Sequence, residues 1–560
     1  MSKNQYKWAA SGDINAFFGL MLDNLAGLVF LVTLLGNIFQ FPAEFAFQYM
    51  IPGTAIGVMV GDLLFFRLAF KYAQKSGSKT VTAMPLGLDT PSTFGMCLFV
   101  IGPAFQSALE AGVLQAKGLE KLAEGQQLSE LVASLPEDLF NQIEFAAATK
   151  AWHIGICGIF VSGIIKLICS FGSSSIRKLV PRAGLLGSLA AIAMVIIAFN
   201  PLVEICKVPI VGLVSLVMVL MTLIARIRLP FNTPGALGTV LVACMVYYGM
   251  RYFDTRLGTS FIPPNNSPFD LQKALMPTGW TTVFNFGWFS ADTFQATAGY
   301  LPLIIPFAIG TVIGGIDCAE SAASVGDDFD TRTVIGVEAI ATLAASFCGG
   351  VIQTTPYIGH PAYKAMGGRA AYTLLTALLI GAAGLTGYFV FFYLYVPKVA
   401  IFSILIFIGL EISAQSFHVT PKRHYAAIAI ACLPAMAQLL KIFQSQSEDS
   451  AIVNQLAGGF IMTSLIWASA LAFIIDRKLL WAAGFFLAAS LLSVLGVMHS
   501  PIAGDKVFWI MHLGKEDFQS VLNYSVGYLV VAGILVLFHF TMKNSLREIR
   551  SDEEFEQLSM

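Results

Sequence analysis

Ionisable side chains that could hold a solute or a coupling ion stand inside apolar stretches at several places in the chain. Asp23 lies in Leu22-Asp-Asn-Leu-Ala-Gly27, and Asp89 in Pro85-Leu-Gly-Leu-Asp-Thr-Pro91. Asp317 and Glu320 stand at i and i+3 in Gly315-Ile-Asp-Cys-Ala-Glu-Ser-Ala-Ala-Ser324, on one helical face with Ser321 and Ser324 beside them. His360 follows in Thr355-Pro-Tyr-Ile-Gly-His-Pro361. A carboxylate at membrane depth is costly, so such residues usually face a cavity, pair with a cation or load a proton. The chemistry this predicts is reversible binding of a polar solute, with a proton or sodium ion exchanging on the acids. The rival reading for each acid is a cap, or a side chain that snorkels from a helix end.

The elements that must position these residues are long apolar runs. Sixteen candidate spans are read, near 14–39, 46–70, 80–105, 152–171, 182–199, 205–225, 235–250, 298–324, 333–350, 352–367, 370–395, 397–415, 424–443, 454–475, 479–498 and 521–542. Each approaches the roughly 20 residues that cross a hydrocarbon core. The run from Ile14 to Phe39 is expected to be the first span rather than a cleavable signal. Short loops rich in Lys and Arg, such as Lys71/Lys75/Lys79, Arg177/Lys178 and Lys422/Arg423, fall on one side when the N-terminus is inside. Both termini are therefore expected to be cytoplasmic, in an inner (plasma) membrane. The stretch 106–150 is expected outside as one or two amphipathic helices, from the spacing of Leu119, Leu122, Leu128, Leu131 and Leu135. The stretch 251–297, with Pro263-Pro-Asn-Asn266, is expected to be an external loop.

Two of these spans carry breakers. The third opens Val81-Thr-Ala-Met-Pro-Leu-Gly-Leu-Asp-Thr-Pro-Ser-Thr-Phe-Gly95, and the tenth Val351-Ile-Gln-Thr-Thr-Pro-Tyr-Ile-Gly-His-Pro-Ala-Tyr-Lys364. A proline inside a helix costs about 3 kcal/mol. Non-helical backbone survives at membrane depth where protein or a wet cavity satisfies it. Two such spans, seven apart, predict an inverted repeat whose half-helix N-termini face one site. The segments holding Asp23 and Asp317 are also seven spans apart, and an odd spacing gives the two copies opposite orientations.

At these residues the sequence resembles the nucleobase–cation symporter-2 family, including its adenine/guanine permease branch. More broadly it is similar to the seven-plus-seven superfamily that also holds sulfate permeases and bicarbonate exchangers. Ala319-Glu-Ser321 resembles the Ala-Glu-His of uracil permeases, whose glutamate binds the base. In Thr355-Pro-Tyr-Ile-Gly-His-Pro-Ala-Tyr-Lys-Ala-Met-Gly-Gly-Arg369, the residues Ile358, Gly359, Gly367 and Arg369 match the family signature in spacing. The signature's Glu-Asn pair is replaced by Pro356-Tyr357, so its second carboxylate is missing. Val396–Gly409 resembles the family's twelfth helix.

The resemblance implies an all-α polytopic membrane protein: a 14-helix 7+7 inverted repeat with core and gate domains, extended segments in spans 3 and 10, and about two extra C-terminal helices. The implied core is 1–175 (with the 106–150 insertion) and 298–395, and the gate 176–250 and 396–475; 251–297 is loop and 476–560 the C-terminal addition. Substrate contacts are expected from Glu320, Asp317, Leu88, Asp89, Thr355, Tyr357, Gly359 and His360, and the coupling ion from Glu320, Asp23 and Asp317. The implied function is proton- or sodium-coupled symport of a nucleobase-like solute by a homodimer. An inorganic or organic anion is the alternative on the same fold.

Composition narrows the classes further. The 560 residues are 56% hydrophobic and 12% charged, with mean hydropathy +0.73, against roughly 25% charged in soluble domains. A net charge of −1 offers no basic stripe for nucleic acid. The eight cysteines sit in or beside apolar runs without a CxxC pair, which predicts buried thiols rather than a metal or disulfide framework. A membrane enzyme or assembly factor is the distant alternative. The seven histidines are scattered and no phosphate loop or nucleophile–base motif stands beside them, so no enzyme, metal or resident cofactor is expected.

Overall fold

The computed structural model describes residues 6–119, 128–179, 181–225, 227, 229–230, 233–258, 262, 271–357, 359–443, 450–500, 513–542 and 548–556. Ile358, Leu122, the 263–266 run and the loop cations Arg226, Arg228, Lys543 and Arg547 lie outside these. The regular secondary structure of the described residues is helical apart from two three-residue strands. Ten helices are long and apolar enough to cross a membrane, a bent pair makes an eleventh, and three shorter helices are also apolar.

In chain order the first elements are α1 (Gly12–Phe39), α2 (Ala43–Ser76), β1 (Leu86–Leu88) and α3 (Thr90–Lys117). A short α4 (Leu128–Ala133) leads to the 43-residue α5 (Glu137–Leu179), then to α6 (Leu186–Cys206), α7 (Pro209–Ile224) and α8 (Gly235–Leu257). The repeat then begins again with α9 (Leu301–Ser324), α10 (Thr331–Phe347), β2 (Thr354–Pro356) and α11 (His360–Ala365). It continues through α12 (Ala371–Thr386), α13 (Phe389–Tyr395), α14 (Lys398–Val419), α15 (Tyr425–Phe443), α16 (Ser450–Ala457) and α17 (Phe460–Ile475). The last elements are α18 (Leu479–Val494), α19 (Lys515–Thr541) and α20 (Asp552–Glu556).

The tenth span has the extended entry expected of it: β2 is followed by the six-residue α11, because Pro356 and Pro361 leave too little uninterrupted sequence for a longer helix. Two expectations need correction. The eleventh, 370–395, bends by 86° between α12 and α13, where Gly387 takes φ 76 and ends α12 as a left-handed cap. The 106–150 insertion is mostly the projecting ends of α3 and α5. Val113, Leu114 and Leu131 are buried together there, with Leu128, Val132, Leu135 and Ile143 against them.

The chain gathers into two compact units, Met1–Phe171 with Glu204–Ile404, and Gly172–Val203 with Leu405–Met560. In the first, α2 packs against both α10 and α12 through small residues. A Cβ on Gly57 would stand 2.6 Å from the Ala345 methyl, and one on Gly381 2.5 Å from Met59 Sδ. Lipid offers no hydrophobic drive between helices, so close backbone approach of this kind supplies the packing energy. Gly95 on α3 serves the same end, since any Cβ there would strike the ring of Phe307 on α9.

Candidate functional site

The two strands pair antiparallel in the first unit, with Leu86 opposite Pro356, Gly87 opposite Thr355 and Leu88 opposite Thr354. The ladder extends by one bond at each end, Asp89 N–H to the Gln353 carbonyl at 3.0 Å and Tyr357 N–H to the Pro85 carbonyl at 2.8 Å. A two-stranded ribbon has two open edges, and edges left open in a membrane interior cost several kcal/mol per group. Side chains from neighbouring helices close them. On the β1 edge, Asn24 Oδ1 accepts from Leu88 N–H at 3.1 Å while its Nδ2 reaches the Leu86 carbonyl at 3.5 Å. Asp62 Oδ1 accepts from Leu86 N–H at 3.2 Å.

On the β2 edge, Thr342 Oγ1 accepts from Thr354 N–H at 3.3 Å, and Lys166 Nζ donates to the Thr354 carbonyl at 2.8 Å. The Cys318 thiol donates to the Pro356 carbonyl at 3.3 Å. Pro356 has no N–H, and its position in the register turns that missing donor outward, away from β1. That placement is where a strand tolerates proline.

The edge contacts repeat between the halves. Asp62 on α2 and Thr342 on α10 each hold the N–H of the first strand residue. Asn24 on α1 and Cys318 on α9 each bond the last one. The residues just before them, Asp23 and Asp317, are therefore counterparts. Both are half-buried. A Cβ on Gly87 would lie 3.5 Å from Asp23 Oδ2, so that carboxylate rests against the middle of β1.

The other residues singled out in the sequence divide into two groups. Thr355, Tyr357 and Gly359 are half-buried along β2 and its exit, and Glu320 is exposed one turn beyond Asp317 on α9. Leu88 is buried, its side chain filling the space over Gly27. Asp89 is the N-cap of α3: its carboxylate accepts from Ser92 N–H at 3.0 Å and from Gln353 Nε2 at 3.3 Å. His360 is fully buried, with Nε2 3.0 Å from Asp327 Oδ2. The same carboxylate takes Thr82 N–H at 3.1 Å and Lys364 Nζ at 2.8 Å. Burial raises the Asp327 carboxyl, but the His360, Lys364 and Thr82 bonds outweigh it and hold the group below its ordinary value. His360 thus sits in a polar knot tying the 325–330 turn to the approach of β1.

Sequence reasoning passed over five residues that the strands depend on: Asn24, Asp62, Lys166, Glu338 and Thr342. Lys166 on α5 and Glu338 on α10 form an ion pair, Nζ to Oε1 at 2.8 Å, with both side chains wholly shielded. A signal was present, since Lys166 in Gly163-Ile-Ile-Lys-Leu-Ile and Asp62 in Val60-Gly-Asp-Leu-Leu are ionisable groups inside apolar spans.

No protein-family model matches the chain, and no curated protein matches it. Solved structures do. The transmembrane domain of a cyanobacterium bicarbonate transporter, BicA, aligns with a TM-score of 0.42 and 12% identity, over 82% of this chain and 97% of that one. The overall structure of SLC26A9 aligns at 0.44 and 12%, over 82% and 65%. The murine Solute Carrier 26 family member A9 anion transporter, in its inward-facing state, aligns at 0.42 and 13%, over 85% and 70%.

Proposed function

We propose that the chain is a secondary transporter that binds a small polar solute beside the strand crossing and releases it by alternating access. The observation that supports this most directly is the Gly87–Thr355 pairing inside a bundle of membrane-length helices. Backbone of that kind at such depth is tolerated where it builds a site, and Asp23, Asp317, Thr355 and Tyr357 keep partial exposure around it. In this reading Asp23, Asp317 and Glu320 hold a coupling proton or sodium ion, and Thr355, Tyr357 and Gly359 face the solute. Leu88 and Asp89 shape the site from behind. A core of spans 1–4 and 8–11 moves against a gate, in a homodimer whose termini are cytoplasmic.

Two substrate classes enter the proposal. An inorganic or organic anion, the cargo class named for the solved structures above, would travel with cations that neutralise the three acids. A neutral nucleobase-like solute would instead donate its N–H groups to them. Uptake of labelled bases and anions into proteoliposomes, with imposed proton or sodium gradients, tests both. Gradient-dependent accumulation of one class is expected. Absence of accumulation and counterflow for every compound, by protein that remains monodisperse, would overturn the reading.

A further inference from the structure

Behind β2 the buried groups are short of protons. Lys166 has three N–H bonds to give, and all are placed: on Glu338 Oε1 at 2.8 Å, on the Thr354 carbonyl at 2.8 Å and on Thr342 Oγ1 at 3.4 Å. Glu338 Oε2 has no donor. It faces α9, where a Cβ on Gly315 would stand 2.6 Å away, and the Thr311 hydroxyl beside the carboxyl has a single hydrogen to divide between Glu338 and the Ala308 carbonyl at 2.9 Å. Asp89 accepts from Gln353 Nε2 at 3.3 Å, one residue from the Thr354 carbonyl that Lys166 holds, and Gln353 keeps a buried Oε1 that no donor meets. Two buried carboxylates therefore lie near one buried ammonium, which is paired with Glu338, and the Gln353 Oε1 and Glu338 Oε2 acceptors are short of a hydrogen.

We propose that Asp89, Lys166 and Glu338 form a proton-binding centre behind β2, in which one carboxylate takes up a proton and leaves the group formally neutral. The step is simple acid–base chemistry: a proton from the aqueous phase joins a carboxylate oxygen, no other bond breaks and no electron moves. The added O–H supplies the missing donor, to Glu338's neighbours or to Gln353 Oε1. Every packed element bears on the equilibrium. α5 contributes Lys166; α9 contributes Asp317 and the Cys318 thiol, which lies within reach of Glu338 and Asp89. α2 contributes Asp62, bonded to Leu86 N–H and with its Oδ2 also lacking a donor. Because Lys166 also holds the Thr354 carbonyl, the charge of the centre bears on the strand that carries Thr355. This deepens the transport reading by giving the coupling proton a place away from the solute-facing acids.

The test needs no substrate, so its failure and that of the transport reading are separable. Infrared difference spectra of the purified full chain in lipid, recorded across a pH series, read the carboxylic C=O stretch directly. A titrating band is expected in the wild type, lost in Glu338→Gln if Glu338 carries the proton, or in Asp89→Asn if Asp89 does. Glu338→Gln leaves Lys166 buried without its ion-pair partner, so Lys166→Gln/Glu338→Gln, which removes both charges, serves where the single variant does not fold. A wild type with no titrating band, or a band unchanged in Asp89→Asn and in the folded Glu338 variant, overturns the proposal.

Discussion

Trp152 and Tyr372 do the same work in the two halves of the repeat. The Trp152 indole donates to the Gly349 carbonyl at 2.7 Å, ahead of β2, and the Tyr372 hydroxyl donates to the Ala83 carbonyl at 2.6 Å, ahead of β1. Each comes from the first turns or middle of the helix following its broken span, and each pins the chain as it turns inward. Losing either donor leaves a buried carbonyl unpaired, at a cost of about 1–3 kcal/mol. Tyr372→Phe and Trp152→Phe should each lower the thermal midpoint by a comparable amount, measured on the detergent-solubilised protein. Unequal effects, with one variant unchanged, would show that the two contacts are not equivalent.

Asn24 should matter far more than its repeat counterpart Cys318. Asn24→Leu strands the Leu88 N–H and the Leu86 carbonyl in an apolar interior, about 1–3 kcal/mol for each. Cys318→Ala removes one weak thiol donor. Expression and thermal midpoint should fall sharply for the first and by less than ~1 kcal/mol equivalent for the second.

Asp23 and Asp317 should behave alike as coupling residues, because each precedes a strand-bonding residue and keeps partial exposure at the crossing. Asp23→Asn and Asp317→Asn should spare counterflow while reducing gradient-driven accumulation several-fold. Glu320→Gln, on the exposed next turn, is the comparison variant. If it alone abolishes accumulation, coupling rests on the exposed acid instead.

The Asp327 knot predicts an acid limit to stability. Its carboxyl lies below its ordinary value when folded, whereas the unfolded group titrates near ~3.9. The His360, Lys364 and Thr82 bonds therefore stabilise fully above the unfolded value, and that stabilisation is lost as pH falls through the lower folded value. The thermal midpoint should drop steeply below about pH 4 in the wild type. Asp327→Asn should start lower at neutral pH and fall less.

At the other unit's end, Arg423 joins Asp476 at 2.9 Å and Asp552 at 2.8 Å, while Ile549 N–H reaches the Asp476 carbonyl at 3.3 Å. Asp552→Ala should release the 548–556 segment to limited proteolysis. Raised salt should do part of the same, since the pair is partly exposed.

What the sequence determined by itself was the part written in local pattern. Apolar length set the helices, paired prolines marked the two broken spans, and an acid in each of two spans seven apart foretold the Asp23–Asp317 correspondence. The tertiary structure alone decided what closes the strand edges. Asn24, Asp62, Thr342 and Lys166 read along the chain as isolated polar residues in apolar helices. Their purpose exists only when helices distant in sequence bring them to unpaired backbone groups of β1 and β2. The resemblance also implied His360 and Asp89 as solute contacts, and the hydrogen bonds they make in the fold, His360 to Asp327 and Asp89 to Ser92 and Gln353, could not be read from it. The reason is physical. A hydrophobic pattern reports which face of a helix avoids water, whereas the demand of a buried N–H or carbonyl for a partner arises only once the chain has folded around it.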